Sequence, residues 1–568
     1  MGESNAASGV LYWVFIDGTE VNMPSDKRGV LLVTIVLVAS AILGGIYGPT
    51  ARATAAGATD LQSSVKNFAQ VLTVVQQNYA IPVDSSKVVY DGAIPGMLRM
   101  LDPHSYFFDP HQWAITLEDE QGRYYGVGMQ IVQRISDNKT QVVSPFVGSP
   151  AYKAGIRPGD IILKVDDKST VGMSSVDIAD LLKGPKGTTV HIAMGREGVS
   201  DPLVFTLVRD EIPRHDVDPP IMIRPGVGYI RLTGFNETTG DDVAAALKQL
   251  NPSSLNGLVL DLRDNPGGVL DAAWAVGDML LDKNQLIVSR KGRVSPYHPY
   301  YALHGNNGLR VPVVLLMNSG SASASEILAG AIQDHDRGLV MGERSFGKGL
   351  VQSVQGLSEG TGLALTTAHY YTPSGRLIQR DYHDVSFFDY EYNRGATIKQ
   401  TEVKLTDSGR KVFGGGGITP DVEYPSPKLN EFQQILRRQS KNILSSMVPV
   451  DVGVGDFVSY YLGTKPNITK NFEVDGSVIT LFKQYLTKRG VAFTDQDITE
   501  NLDWIKLQIK REVFTSIYGL PEGFRVETEA DAEVSKAVEL LPQARALYDN
   551  ARRVVAERMA AQGGPTSH

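Results

Sequence analysis

With 568 residues, 42% of them hydrophobic, the chain exceeds what one hydrophobic core can organise, so several domains are expected. A formal charge of −8 without any long run of Lys or Arg carries no electrostatic footprint for nucleic acid, which is excluded as a partner. The absence of cysteine removes disulfides, thiolate metal sites and a cysteine nucleophile, and the ten histidines hold no HExxH spacing, so neither a metal nor a cofactor is expected.

Residues 1–28 read as a tail with one short apolar patch, VLYWVFI, and are expected on the cytoplasmic side. Residues 29–51 are uncharged around the apolar centre VLLVTIVLVASAIL. As a helix they are long enough to cross a hydrocarbon core, which takes about 20 residues. Lys27 and Arg28 ahead of the run favour an inner-membrane anchor that sends the rest of the chain out of the cytoplasm, to a periplasmic or other extracytoplasmic location. A cleaved signal peptide is the rival, with small-residue sites at Ala51-Arg-Ala53 and Ala53-Thr-Ala55; the length of the run and the polar segment before it favour the anchor.

From Asp60, apolar residues Leu61, Val65, Phe68, Val71, Leu72 and Val75 recur at helical steps. A second helical stretch, Ser86 to Leu101, ends at the turn Asp102-Pro-His-Ser105. Both belong to a helical region, residues 58–120. Residues 121–214 change to short alternating strands broken by glycine, such as Gly128-Met-Gln-Ile-Val132 and Thr140-Gln-Val-Val143. In residues 215–425 apolar strands (Leu258-Val-Leu260, Val313 to Met317) alternate with helical patterns (Asp271 to Leu281, Glu326 to Gln333), which predicts an α/β core. Residues 426–568 form a charged, helical extension, and Pro542 within Glu533 to Ala561 predicts two helices or a kinked one.

Two stretches in the strand-rich region, Gly126-Val-Gly-Met-Gln-Ile131 and Ser149-Pro-Ala-Tyr-Lys-Ala-Gly-Ile-Arg-Pro-Gly-Asp-Ile-Ile-Leu-Lys-Val165, resemble the signature stretches of a PDZ domain. The resemblance implies a small β-sandwich or barrel in which Gly126, Val127, Gly128 and Met129 receive a peptide's terminal carboxylate while the peptide adds a strand to the sheet edge.

The segment Val311 to Ile327 (VPVVLLMNSGSASASEI) reads as a buried strand, a loop of small residues and a helix. Such an elbow exposes a hydroxyl where the helix N-terminus favours developing negative charge. Ser321, Ser323 and Ser325 compete for the role, and local chemistry does not choose among them. No histidine lies in a triad motif; His335, flanked by Asp334 and Asp336, reads as a surface helix residue. Lys348 in Phe346-Gly-Lys-Gly349 is the candidate base, because desolvation lowers a lysine's pKa and the two glycines let the backbone approach its target. Gln352, four residues on, can orient the amine without adding charge.

Together with Leu101-Asp-Pro-His-Ser105, Asp261-Leu-Arg-Asp-Asn-Pro-Gly-Gly268 and Tyr370-Tyr-Thr-Pro-Ser-Gly375, these motifs resemble the C-terminal processing peptidases (tail-specific proteases, family S41), over roughly Leu61 to Tyr424. The resemblance implies a multidomain α/β chain whose peptidase core is ClpP-like or crotonase-like. It implies Ser323 as nucleophile, Lys348 as general base with Gln352 beside it, and an oxyanion hole from Ala324 and either Gly267 or Gly268. Asp334 matches a family aspartate once suspected of catalysis and is read as a brace for its helix. The function implied is a serine endopeptidase that cuts proteins near C-terminal tails captured by the PDZ domain. The alternatives are a catalytically dead PDZ scaffold and a trypsin-like PDZ protease, the latter opposed by the absence of a Gly-x-Ser-Gly-Gly motif. A homodimer through the terminal helices and an adaptor protein docking on the extension are further expected partners.

Overall fold

A computed structural model describes residues 60–134, 137–196, 198–383, 385–392, 402–437, 452–464 and 468–562. The tail and the apolar run of residues 29–51 lie outside the described residues; among the described ones no helix is long and apolar enough to cross a membrane. The chain divides into two compact units, Met1–Ile94 and Pro95–His568. In the first, the helical periodicity is realised as helix α1, residues 60–78, followed by short helical segments from Ser85 onwards, the first capped by Asp84.

Strand β1 (Tyr106–Phe108) leads into helix α2 (Pro110–Gln121), which opens on a capping box made by Asp109 and Gln112 and closes on Gly122 at φ 65°. The small β domain then begins with β2 (Arg123–Gly126), β3 (Met129–Gln133), β4 (Thr140–Pro145), the short helix α3 (Pro150–Lys153), β5 (Ile161–Val165), helix α4 (Ser175–Leu182), β6 (Thr189–Gly195), β7 (Leu203–Val208) and β8 (Asp210–Pro213). Its sheet runs β3-β4-β5-β6-β7, while β2 and β8 pair separately. Alternate residues of β6, Val190, Ile192 and Met194, point into a core shared with Val142, Ile162, Ile178 and Leu182. Strand β3 is therefore an edge, with helix α4 along its open side.

The α/β core is built on a six-stranded sheet: β9 (Ile221–Arg224), β10 (Val227–Arg231), β11 (Gly257–Asp261), β14 (Val313–Met317), β15 (Leu339–Gly342) and β18 (Val422–Glu423), in that spatial order. All but the first pairing are parallel. Between them come helices α5 (Thr239–Gln249), α6 (Leu270–Leu280) and α7 (Ala324–Asp334), and a second, antiparallel sheet of β12 (Leu286–Lys291), β13 (His298–Tyr301), β16 (Leu350–Gly356), β17 (Gly362–Tyr371) and β1. The continuous apolar run of β14 is explained by burial on both faces. Val313, Leu315 and Met317 pack under the three helices, and Val314 and Leu316 face the other way.

That other face is covered from far along the chain. Past β18 come helices α8 (Glu431–Arg437), α9 (Val452–Thr464), α10 (Gly476–Lys488), α11 (Leu502–Tyr518) and α12 (Leu520–Ala530). Helices α8 to α11 share a core around Phe457, Phe482 and Ile509. The final helix α13 (Ala532–Gln562) leaves that module and lays Val534, Ala537, Leu541 and Ala544 on the main sheet. It runs as one helix through Pro542. Packing of the residues around Pro542 outweighs a penalty of about 3 kcal/mol for an internal proline. Leu541, 6% exposed, sits so closely over Gly257 of β11 that a Cβ there would lie 2.6 Å from it. Leu541→Ala should therefore lower stability by ~2–4 kcal/mol in urea unfolding of the full chain; a change below about 0.5 kcal/mol, the usual effect of a surface substitution, would show that α13 is not part of the core.

Candidate active site

In parallel sheets the loops at the carboxyl ends of neighbouring strands converge. Here three such loops, following β11, β14 and β15, carry residues 262–268, 318–323 and 343–349. The structure separates the three competing serines. Ser321 is buried, with its hydroxyl donating to the Leu262 carbonyl (2.8 Å) and accepting from the Asn318 N–H (2.9 Å). Ser325 is buried too, and donates to the Asn265 carbonyl (2.9 Å). Both bolt the elbow to the loop after β11. Ser323 alone of the three is partly exposed, at the cap of α7 with φ 53° and ψ −113°. A non-glycine residue there costs of order 1–3 kcal/mol and persists only where its surroundings hold it.

Two buried side chains supply that hold and join Ser323 to Lys348. Glu326, fully buried in the first turn of α7, accepts the Ser323 and Lys348 N–H groups on one oxygen, each at 2.9 Å. Its other oxygen accepts the Gly347 N–H (2.7 Å) and the Ser345 hydroxyl (2.5 Å). Burial pushes its pKa up to about 7, against the pull of these four donors. The buried Tyr370 hydroxyl donates to the Lys348 carbonyl (2.6 Å), with the Ser323 carbonyl 3.1 Å from the same oxygen. Burial and then the charge of Glu326 raise this phenol well above its ordinary pKa, so it stays a donor. Ser323 and Lys348 are thus tied together through the N–H of both residues and the C=O of both.

The Lys348 ammonium nitrogen donates to Gln352 Oε1 (3.0 Å), and Gln352 Nε2 donates in turn to the His104 carbonyl. The turn carrying His104 is held by Asp102, which accepts the His104 N–H (2.8 Å) and both the N–H and hydroxyl of Ser105 (2.7 Å each). The His104 ring packs edge-on to Phe346 and Tyr390 and bonds the Tyr390 hydroxyl (2.9 Å). Burial, then the neighbouring Lys348 charge, lower its pKa to about 3, with Asp102 pulling the other way. Phe346 is the apolar neighbour that the sequence pattern places beside the lysine; the buried Arg380 guanidinium lies 4.2 Å from its ring centre.

Gly267 lies against the elbow: a Cβ there would stand 2.8 Å from Ser323 Cβ and 2.8 Å from Ala324 N. Its own N–H donates to Asn265 Oδ1 (2.9 Å), whereas the Phe235 pairing of this loop uses the Gly267 carbonyl and the Val269 N–H and passes over the Gly268 N–H. Ala324 opens α7, where N–H groups lack helical acceptors. Gly126, Val127, Gly128 and Met129 lie in the other domain. The Val127 carbonyl accepts the Ala151 N–H (2.9 Å), and the Gly128 carbonyl accepts the Phe146 N–H (3.0 Å) and the Ser149 hydroxyl (2.7 Å). Each peptide plane therefore turns the following N–H, of Gly128 and Met129, to the opposite side. Gly128 has φ 76° and no room for a Cβ, which would lie 2.4 Å from Ser149 Cβ.

Asp334 is a buried brace: it accepts Arg376 (2.7 Å) and the Ser374 N–H (3.0 Å), tying α7 to the Tyr370-Tyr-Thr-Pro-Ser-Gly375 turn. His335 departs from the expectation of a surface residue. Its side chain is only 10% exposed, bonded to Asp407 (2.8 Å) and the Leu286 carbonyl (2.7 Å), because α7 is enclosed between the two sheets and a hairpin of Val403–Leu405 and Lys411–Phe413. Burial opposes its charge, but Asp407 outweighs that and its pKa is raised. Glu326, Tyr370 and His104 had no assigned role at the level of sequence. For Glu326 the signal was present in the spacing Ser323-x-x-Glu326, the pattern of a helix capping box.

Residues 226–386 match the family described as peptidase family S41, and residues 141–194 match a PDZ domain. The chain is 35% identical over 384 residues to a carboxy-terminal-processing protease of Bartonella bacilliformis, covering 65% of this chain and 87% of that one. It is 32% identical over 398 residues to the carboxy-terminal processing protease CtpA of Bacillus subtilis, covering 68% and 84%. Among solved structures, the photosystem II D1 C-terminal processing protease is 31% identical, with 65% of this chain and 87% of that chain covered and a TM-score of 0.31.

Glu326→Gln keeps the shape of the carboxylate but turns an N–H₂ toward groups that are all donors. Peptide hydrolysis should fall at least about a hundredfold with the fold retained; activity within a few-fold of the parent would show that the four-donor hub is dispensable. His104 is neutral in the fold (about 3) and titrates near 6.5 in the unfolded chain, so its contribution is complete above pH 6.5 and is lost as pH falls toward 3. Replacing His104 with Gln should lessen the drop in melting temperature between pH 7 and pH 4.5; an unaltered drop would mean that the ring is not buried in its neutral form.

Proposed function

The chain belongs to peptidase family S41, the carboxy-terminal processing proteases, and on that premise we propose that it is a serine endopeptidase in which Lys348 activates Ser323. The observation that carries the reading is the double tie of Glu326 and Tyr370 between these two residues, with Ser321 and Ser325 consumed by structural bonds. Ser323 Oγ attacks the scissile carbonyl carbon while Lys348, in the form whose ammonium has first given up a proton, takes the hydroxyl proton. The oxyanion is received by the Ala324 N–H and by that of Gly268, since Gly267 N–H is spent on Asn265. Lys348 then passes the proton to the leaving amine, and water releases the acyl group by the same steps in reverse order. Gln352 keeps the lysine aimed.

The PDZ domain supplies the choice of substrate. A tail docking as an added strand on β3 sets its carboxylate at the Gly128 and Met129 N–H groups, with the buried Val127, Ile178 and Leu182 behind. The substrates are then proteins with accessible C-termini, cut near that end. The apolar run of residues 29–51 supports an anchored enzyme working outside the cytoplasm. Ser323→Ala and Lys348→Ala should each lower cleavage of a tailed protein at least about a thousandfold, and amidating the tail should raise KM with little change in kcat. Cleavage that survives Lys348→Ala removes the dyad, and an inactive parent that still binds tails supports the dead-scaffold reading.

A further inference from the structure

The loop that carries Asn265 and the two glycines leaves strand β11 at Asp261, and its second side chain, Arg263, is a hub. Arg263 donates to both oxygens of the buried Asp261 (2.6–3.0 Å), which also accepts the Tyr229 hydroxyl (2.8 Å). The rest of the guanidinium faces the far end of the chain: Nη1 donates to Glu533 (2.8 Å) and Nη2 to Asp531 (2.8 Å). These two carboxylates begin helix α13, and Asp531 uses its second oxygen to cap that helix at the N–H groups of Glu533 (2.8 Å) and Val534 (3.2 Å). Glu533 is 2% exposed, and its other oxygen lies 3.1 Å from where a Cβ on Gly342 would sit, at the end of β15 from which the Lys348 loop departs.

Only Asp264 separates Arg263 from Asn265, and Asn265 has no freedom of its own. Its carbonyl accepts the Ala322 N–H (3.0 Å) and Ser325, its amide donates to the Leu232 carbonyl (2.9 Å) and its Oδ1 takes the Gly267 N–H. A displacement of Arg263 would therefore be passed along a short, fully bonded segment to the glycine N–H groups beside Ser323. A bidentate guanidinium held on three carboxylates is a stiff mount, and the catalytic value of an oxyanion donor depends on its being fixed before the reaction.

We propose that Asp531 and Glu533 are positioning residues for the oxyanion loop, acting through Arg263, so that the start of the last helix takes part in catalysis. The inference rests on the Ser323 and Lys348 reading above. In the full chain, the double variant Asp531→Asn with Glu533→Gln keeps oxygen acceptors but removes both charges. Per active site, its kcat should fall about tenfold or more while KM changes less than about twofold. The inhibition constant of a substrate-like peptide aldehyde, whose tetrahedral adduct needs the oxyanion donors, should weaken in step with kcat/KM. Binding of a tail peptide to the PDZ domain should not change. Arg263→Lys, which keeps the charge without the fork, should show the same split. A double variant with unchanged kcat and aldehyde affinity overturns the proposal, as does a loss that vanishes once rates are divided by the folded fraction. If the double variant does not fold, Asp531→Asn, a quarter exposed, carries the same comparison with a smaller expected fall, and no fall overturns the proposal. An unmodified chain without Ser323-dependent cleavage would instead sink the underlying reading.

Discussion

A carboxylate buried in the first turn of an enclosed helix gathers four hydrogen bonds from four residues in two loops, and the site depends on it. Burying such a charge costs several kcal/mol before compensation. The Ser323, Gly347 and Lys348 N–H groups, the Ser345 hydroxyl and the helix N-terminus offset part of this at Glu326, whose pKa burial still raises to about 7. What the charge secures is geometry: a serine in a sparsely populated backbone conformation and a lysine from another loop are bound to the same oxygen. Tyr370 repeats the tie from the carbonyl side. The backbones of Ser323 and Lys348 are thereby held to each other by bonds that do not use their side chains.

The larger architecture explains why those loops meet. A parallel sheet delivers three loops to one edge, and it can do so only if both faces are covered. One face is closed by helices α5 to α7 from within the core. The other is closed by α13, which reaches it after the chain has built a separate helical module with its own core. The turn before β1 also belongs to the site, because Gln352 is held by the His104 carbonyl and β1 is part of the second sheet. Residues from about 100 to about 380 thus meet at one end of the sheet, helix α13 covers its face, and Gly126 to Met129 stay on a domain of their own.

Much of this was legible in the sequence. Strand β14 was placed at its observed bounds because an apolar run ending in small residues has few other readings, and the two glycine-marked stretches meet as the PDZ resemblance implies. The choice among Ser321, Ser323 and Ser325 was not legible, since alternate residues of an elbow differ only in which carbonyls the fold brings near them. The family resemblance implies Ser323, and in the fold the hydroxyls of Ser321 and Ser325 are engaged in structural bonds. The burial of His335 was missed because a helix enclosed by two sheets and a hairpin has no exposed face, whatever its charges suggest. The run through Pro542 was likewise decided by packing on a sheet some two hundred residues earlier in the chain.

The central claim is that Ser323 is the activated hydroxyl and Lys348 the group that activates it. Peptide mapping by mass spectrometry after treatment with diisopropyl fluorophosphate tests it directly. The account predicts a single adduct on Ser323 in the unmodified chain and none when Lys348 is replaced by alanine. An adduct on Ser321 or Ser325, or equal labelling of Ser323 without Lys348, would contradict it.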